Sequence, residues 1–347
     1  MKEIINKTNN ISKKQIFYIT FLLFFLSSIF YISGLIGVFS TILSLIFYSL
    51  ITYLIYFIWK KIFRKKYLFY IDFLNYFLYK VSLGIFISIL IIGGGGYYSN
   101  EINPAAIPEY TITNGEKTVI FQAMSHIGSE DFYEKIKQNL IKAKKDGYVY
   151  FYEGVRDGNE KNKQDFDKAI GIKFDKDLYE NFSKLYGVIN QDNSIYLNLV
   201  NNLDYNIDLS IDDIMDYYNT SKIKNNTNNI LQNEEVIDIN AEIVKTLSTL
   251  NEKELKILRY VNQAILNFMI GSEKTQNLIT NNFGNKKLFS IILDKRNDVL
   301  SEGIIKSEHN KIYITYGLLH FKGVLENLQK NDNNWKIINT KILYPIK

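Results

Sequence analysis

The N-terminal part of the chain carries no charged side chain anywhere between Gln15 and Trp59. Such a run is about twice the ~20 apolar residues that one helix needs to cross a bilayer. The Ser33-Gly34 step, with Gly37 close by, is the natural place to divide it into two spans joined by a tight hairpin. A secretory signal peptide is the competing interpretation, but its apolar core of about 7–15 residues would be far shorter. The run therefore predicts membrane anchors.

A third apolar run extends from Leu74 to Ile92 and ends in four consecutive glycines, 93–96. Lys80 interrupts it, and a lysine near a helix end can extend its ammonium group to the interface. The sequence thus predicts a transmembrane region over residues 1–100, with spans at about 16–33, 36–59 and 74–96.

Basic residues flank the first two spans and predict the orientation. Four lysines precede the first span, and five basic residues between positions 60 and 66 follow the second. Because basic clusters stay on the cytoplasmic side, the N-terminus is expected in the cytoplasm. The third span then carries everything after Asn100 outside. We expect a multi-pass cell-membrane protein with an extracytoplasmic C-terminal domain and the lipid bilayer as a partner.

Charge and cysteine content exclude some kinds of site. Residues 1–100 hold ten Lys and Arg against two Asp and Glu, so the rest of the chain carries a net charge of −3 within the total of +5. That part offers no cationic surplus for phosphates, which argues against nucleic-acid binding. The chain contains no cysteine, so disulfides and thiolate metal sites are excluded.

The part after the membrane region reads as an α/β domain. Pro104 and Pro108 indicate a linker over residues 101–112, and the domain is expected over 113–347 with a flexible insertion at 221–235. Thr118–Ala123 and Tyr148–Tyr152 read as strands on either side of a helix that Ser129 caps. A βαβ unit of this kind has parallel strands. The expected fold class is α/β (α+β), with a mainly parallel central sheet flanked by helices.

Three polar side chains follow predicted strands of this domain: His126, Glu153 and His320. If the strand before His320 is parallel to the other two, all three lie at the carboxyl edge of the sheet, where open α/β sheets bind ligands. Two imidazoles and a carboxylate can hold a divalent cation such as manganese, cobalt, zinc or iron, and such a metal activates water for hydrolysis. The competing interpretation has two hydrogen-bonded turn histidines and a Glu153 that pairs with a nearby base.

Arg296 and Asn297 form a second notable pair, on a helix that precedes the strand of His320. An arginine here can bind a carboxylate or phosphate in two-pronged fashion. The alternative is a pair of polar surface residues.

These segments resemble the TraB/PrgY and Tiki family, which is related to the erythromycin-esterase/ChaN-like proteins. The family has an arginine-asparagine motif followed by a strand and a G-x-x-H corner, similar to Arg296-Asn297 and the stretch from Tyr316 to Val324. An earlier G-x-x-H corner matches Ala123-Met124-Ser125-His126, with alanine in place of glycine, and Glu153 matches a glutamate that ends the following strand. Asn206-Ile207-Asp208 resembles an Asn-x-Asp element of the related proteins.

The resemblance implies a function. Tiki members are membrane-anchored, metal-dependent peptidases, and bacterial TraB-type members are linked to shutting down peptide pheromones. For this chain it implies metal binding by His126, Glu153 and His320, and catalytic or substrate-orienting roles for Glu153, Arg296 and Asn297. We expect an extracytoplasmic metallohydrolase that cleaves a peptide or protein substrate. The alternatives are a non-catalytic peptide-binding or pheromone-shutdown-type protein that uses the same cleft, and a transporter.

Overall fold

The computed structural model describes residues 12–170, 177–224, 238–272 and 286–346. It separates into two compact units, Met1–Tyr97 with Leu250–Ile257, and Tyr98–Thr249 with Leu258–Lys347. All but the first four residues of the insertion predicted at 221–235 lie outside the described ranges.

The first unit contains two long apolar helices, α1 (Lys13–Ile62) and α2 (Tyr70–Tyr97). Both are long and apolar enough to cross a membrane, the second together with the π-helical turn to Ile102. Gly34 interrupts α1 with φ 68° and ψ −163°, a conformation that glycine adopts without steric cost.

Contacts with α2 show that the chain reverses at Gly34. Tyr18 donates a hydrogen bond to Asn75 Oδ1 at 2.6 Å, while the ring of Tyr53 lies 5.2 Å from that of Phe73. In a continuous helix Tyr18 and Tyr53 would be about 50 Å apart, at 1.5 Å per residue. Both nevertheless reach the same turn of α2. The hairpin predicted at Ser33-Gly34 is confirmed.

The second unit is an α/β domain. Its strands are β1 (Ile107–Thr113), β2 (Thr118–Met124), β3 (Ile127–Gly128), β4 (Val149–Tyr152), β5 (Ile189–Asn190), β6 (Tyr205–Asn206), β7 (Lys311–Gly317) and β8 (Lys336–Leu343). Its helices are α3 (Glu130–Lys145), α4 (Glu160–Ile170), α5 (Leu178–Tyr186), α6 (Ser194–Leu197), α7 (Ile211–Lys224), α8 (Ile239–Thr249), α9 (Glu252–Gly271, which begins in the first unit), α10 (Lys286–Lys306) and α11 (Phe321–Asn331).

Six strands form one mixed sheet in the order β6-β4-β7-β2-β1-β8. The first four are parallel to one another, whereas β1 is antiparallel to both β2 and β8. The fold class is α/β as predicted, but the expectation of a mainly parallel sheet is wrong: the sheet is mixed, because β1 runs opposite to the other strands and is antiparallel to both of its neighbours.

The linker predicted over 101–112 accounts for part of that error, because β1 occupies Ile107–Thr113. A proline inside a strand indicates a loop or an edge, since it cannot donate to the hydrogen-bond ladder. Here Pro108 precedes the five residues of β1 that pair with β2, so β2 needs no donor from it. The sheet thus accepts a proline that the sequence pattern assigned to a linker.

Buried apolar side chains on helix α3 and the strands form the main core. Ser129 caps α3 as predicted, its hydroxyl accepting from the Phe132 amide. Phe132, Ile136 and Leu140 recur at helical spacing and are at most 1% exposed. Burying each such side chain contributes about 1.5–3 kcal/mol. This packing fixes the strands whose ends carry the polar residues described next.

Candidate active site

The four parallel strands end at one edge of the sheet, and each is followed by a polar side chain. Asp208 follows β6, Glu153 follows β4, His320 follows β7 and His126 follows β2. Because β7 lies between β4 and β2 and is parallel to both, the three carboxyl ends that the sequence predicted to meet do meet. The strand order therefore sets the order of the side chains along the edge.

Arg296, on α10, joins two of these carboxylates. Its Nε and Nη2 atoms lie 2.7 and 2.8 Å from the two oxygens of Asp208, and Nη2 also lies 2.5 Å from Glu153 Oε1. The side chain of Asp208 is fully buried, and that of Arg296 is 7% exposed. Burial lowers the pKa of Arg296, but Asp208 and Glu153 more than offset it, so the pKa is raised overall. The guanidinium stays charged.

Asp208 is the site residue that the sequence pattern underestimated. Its carboxylate also accepts hydrogen bonds from the backbone amides of Gly154 (3.0 Å) and Leu209 (2.8 Å). A buried carboxylate with so many donors is held in one orientation, and it orients Arg296 in turn. The only sequence signal was the Asn-x-Asp element, whose first residue bonds the Gly154 carbonyl through Asn206 Nδ2 at 3.0 Å.

Glu153 is held on both oxygens. While Oε1 accepts from Arg296, Oε2 accepts from the Gly317 amide at 2.6 Å. Its side chain is 17% exposed. Each carboxylate oxygen has two lone pairs, so two acceptor positions remain.

His320 is buried, and its ring is fixed by Asn297. Nδ1 of His320 lies 2.7 Å from Asn297 Oδ1, and because that oxygen can only accept, Nδ1 carries the proton. Nε2 is then the atom with a free lone pair. Burial, followed by the nearby charges of Arg296 and His126, lowers the pKa of His320 well below its usual value, so the ring is neutral at pH 7.

Gly323 makes room for this arrangement. A Cβ atom at position 323 would lie 2.1 Å from Asn297 Nδ2, which is far inside van der Waals contact. The glycine in the segment Tyr316 to Val324 therefore allows α11 to approach the asparagine of the Arg296-Asn297 pair.

His126 differs from His320 in its exposure and in its contacts. It is exposed, and its imidazole packs against the Tyr179 ring with 5.1 Å between centroids. Its backbone carbonyl accepts from the Gln191 amide at 2.8 Å. The structure brings His126 to the cavity, and contacts within the described part of the chain do not determine its tautomer.

One cavity of about 380 Å³ brings these groups together. His126, Glu153, Arg296 and His320 line it, and most of the remaining lining is apolar. Asn297 stands behind His320. A mostly apolar cleft with a few convergent polar groups is the usual form of a ligand site.

The donor set fits a divalent cation in its chemistry. Two imidazoles and one carboxylate line one cavity, and with formal charges Asp208, Glu153 and Arg296 leave one net negative charge beside them. His320 also has the hydrogen-bonded Nδ1 that is typical of metal-bound histidines. Within the described ranges, however, no three His, Asp or Glu side chains form a ready cluster of metal ligands. The ligand set remains a prediction.

Comparison with known protein families, with curated proteins and with solved structures finds no match for this chain.

Proposed function

We propose that this chain is a membrane-anchored hydrolase whose extracytoplasmic domain cleaves a peptide or protein at the carboxyl edge of its sheet. The observation that carries the proposal is the convergence of His126, Glu153, Arg296 and His320 on one cavity. A hydrolase needs a base, oriented charge and a place for the substrate, and this cavity offers all three.

His126, Glu153 and His320 would hold a divalent cation, which supplies activated water and polarises a carbonyl when bound. Asn297 keeps the Nε2 lone pair of His320 available by accepting the proton on Nδ1. Arg296 and the Gly317 amide hold the Glu153 carboxylate in place. Asp208 fixes Arg296, so its guanidinium can also face a substrate carboxylate or carbonyl.

Metal loading of the full-length protein in detergent tests this proposal. After chelation, the protein is reloaded with Mn²⁺, Co²⁺ or Zn²⁺ and incubated with a peptide mixture that is read by mass spectrometry. We expect about one bound metal per chain, metal-dependent cleavage, and loss of both in His320→Ala. His309→Ala is the matched control, because His309 precedes β7 and so lies at the other end of that strand.

A second function shares the cleft. Both oxygens of Glu153 already accept strong hydrogen bonds, which favours a protein that binds peptides at this cavity without cleaving them. Peptide binding that survives His126→Ala, with no metal bound and no cleavage, would establish this alternative and refute the hydrolase.

The membrane topology is part of the proposal: three spans, a cytoplasmic N-terminus and an extracytoplasmic domain. Contacts inside the first unit support it. Lys253 donates to the Tyr31 carbonyl at 2.8 Å, Asn251 Nδ2 donates to the Ile32 carbonyl at 3.0 Å, and Ser33 bonds Glu254. The hairpin tip and the start of α9 thus lie close together, as expected if two spans separate the tip from the extracytoplasmic domain.

Reporter fusions test the topology. A reporter after Lys66 should be active only in the cytoplasm, and one after Lys347 only outside. If both fusions report the same side of the membrane, the prediction of a third span is wrong.

A further inference from the structure

The two edges of the six-stranded sheet differ in length. The strand order places β6 at one edge and β8 at the other. β6 has two residues, and so short a strand is a poor template for pairing with another chain. β8 has eight residues without a proline, and among the described residues it pairs with β1 alone. Its outer backbone N–H and C=O groups can therefore pair with a further strand.

The side chains of β8 do little to block such pairing. Lysines often protect a sheet edge, but Nζ of Lys341 lies 2.9 Å from Oε1 of Glu109 on β1, and the side chain of Glu109 is 3% exposed. The charge of Lys341 is thus paired within its own sheet. Ile337, Ile338 and Ile342 are 43, 54 and 52% exposed. A long edge with exposed isoleucines is typical of a strand that is covered by a partner.

The sequence of β8 is complementary to itself in one antiparallel register. With Thr340 opposite Thr340 of a second copy, Ile338 lies opposite Ile342 and Asn339 lies opposite Lys341. Because side chains alternate between the two faces, the isoleucine pairs share one face and the polar pairs share the other. A bulge at Ile338 increases the local twist, while residues 339–343 stay in regular register with β1.

Neighbouring registers lack this match. A two-fold axis at Asn339, or between Asn339 and Thr340, sets Lys341 against an isoleucine. An axis between Thr340 and Lys341 sets Ile342 against Asn339. An axis at Lys341 sets two lysines against each other, and like charges directly opposite are destabilising. The register about Thr340 is therefore the favoured one.

We propose that β8 pairs with β8 of a second copy of this chain, antiparallel about Thr340, and so joins the two sheets into one. A two-fold interface needs a surface that is complementary to itself, and β8 meets that requirement. A foreign strand would need no match between Ile338 and Ile342. The dimer does not depend on the proposed hydrolase, because β1 separates β8 from the four strands that carry the candidate site.

Single cysteines test the register, since the chain contains none of its own. Thr340→Cys places two thiols at directly opposite positions, with Cα atoms about 4.5–5.5 Å apart, a distance that a disulfide spans. Asn339→Cys is the matched control. Position 339 is also exposed, but it meets its own counterpart only diagonally, at about 7–8 Å.

Mild oxidation of the full-length protein in detergent should link the Thr340→Cys chains at least about tenfold faster than the Asn339→Cys chains. Equal rates, or no linkage in either variant, would overturn the proposal.

A charge exchange tests the same pairing without a cross-link. Ile338→Lys and Ile342→Glu each set a charge against an isoleucine, twice by symmetry, and should raise the dimer Kd about tenfold in analytical ultracentrifugation. Both substitutions in one chain set lysine against glutamate and should restore Kd to within about threefold of the wild type. The two positions are about 13 Å apart along one strand, so a monomer cannot produce this rescue.

Failure of the double variant to restore the dimer, or no effect of either single substitution, would overturn the proposal. So would a monomeric wild type whose Thr340→Cys variant is linked to a different protein in the membrane, because β8 would then take a foreign strand. None of these measurements involves metal or cleavage, so they stand whether or not the chain is a hydrolase.

Discussion

His126 and His320 each follow a strand and lie in similar sequence settings. The structure gives these two histidines different surroundings. His320 is buried, and its Nδ1 atom is hydrogen-bonded to Asn297. Arg296, which pairs with Asp208 and Glu153, lies near its ring. His126 is exposed, and its ring packs against that of Tyr179. The ring of His320 is therefore held by its neighbours, whereas the ring of His126 faces solvent. The comparison teaches that similar sequence settings can give one histidine a buried, oriented ring and the other an exposed one.

The largest expected effect comes from removing the charge beside His320. Arg296→Ala leaves Asp208 and Glu153 without their cation, and Asp208 is fully buried. An uncompensated buried charge destabilises a protein by about 3–5 kcal/mol. We expect a loss of that size in the free energy of unfolding, measured by chemical denaturation. Lys295→Ala is the control, because its exposed pair with Asp298 contributes ~0–1 kcal/mol. Equal losses of stability in the two variants would show that Arg296 does not stabilise the fold by compensating Asp208 and Glu153.

A smaller loss of stability is expected when Nδ1 of His320 loses its hydrogen-bond acceptor. Asn297→Ala removes the partner of Nδ1 and leaves a buried N–H unpaired, at a cost of about 1–3 kcal/mol. If a metal binds, its affinity should also fall roughly 10–100-fold, because the ring is no longer oriented. Asn327→Ala, which removes a bond to Asp298 on the same helix pair, should leave metal affinity unchanged.

Gly323→Ala tests the same contact from the other side. The added methyl group would overlap Asn297 Nδ2, and overpacking of this kind costs about 1–3 kcal/mol. The melting temperature should fall, and the His320 ring resonances should shift in NMR spectra. Unchanged resonances would show that the asparagine does not set the ring's position.

The pH dependence of stability should also distinguish His320 from His126. The folded protein keeps His320 neutral because burial, Arg296 and His126 lower its pKa, while Glu153 lies nearby as an opposing charge. Below about pH 6.5, the usual histidine pKa, the unfolded chain then binds more protons than the folded one. Stability of the metal-free protein should therefore fall as the pH drops below that value.

Denaturation midpoints between pH 7 and 5, in the presence of a chelator, measure this slope. His320→Gln should flatten it. His126→Gln keeps His320 and should keep most of the slope. An equal flattening in both variants would show that the pH dependence does not distinguish the two histidines.

The smallest expected effect is on the exposed corner. His126→Ala removes a side chain with little packing and should change the free energy of unfolding by no more than about 0.5 kcal/mol. A loss of several kcal/mol would show that His126 is as firmly built in as His320.

Local sequence signals predicted much of this molecule. Gly34 within an uncharged run predicted the hairpin, and Ser129 with the periodic Phe132 and Ile136 predicted α3. The strands before His126, Glu153 and His320 were each predicted, because apolar runs of this length between turn residues depend on nearby residues alone. The membrane spans, the metal and the reaction remain predictions.

What the sequence by itself determined is the set of elements and the polar residues at their ends. Only the tertiary structure decided that β1 runs antiparallel between β2 and β8, that β7 lies between β4 and β2, and that Asp208 holds Arg296. Strand order and ion pairing join residues far apart in the chain, such as Arg296 and Asp208, whose separation of 88 residues leaves no periodic signal. The two histidine corners became unequal for the same reason, since burial depends on what packs against a residue and not on its neighbours in sequence.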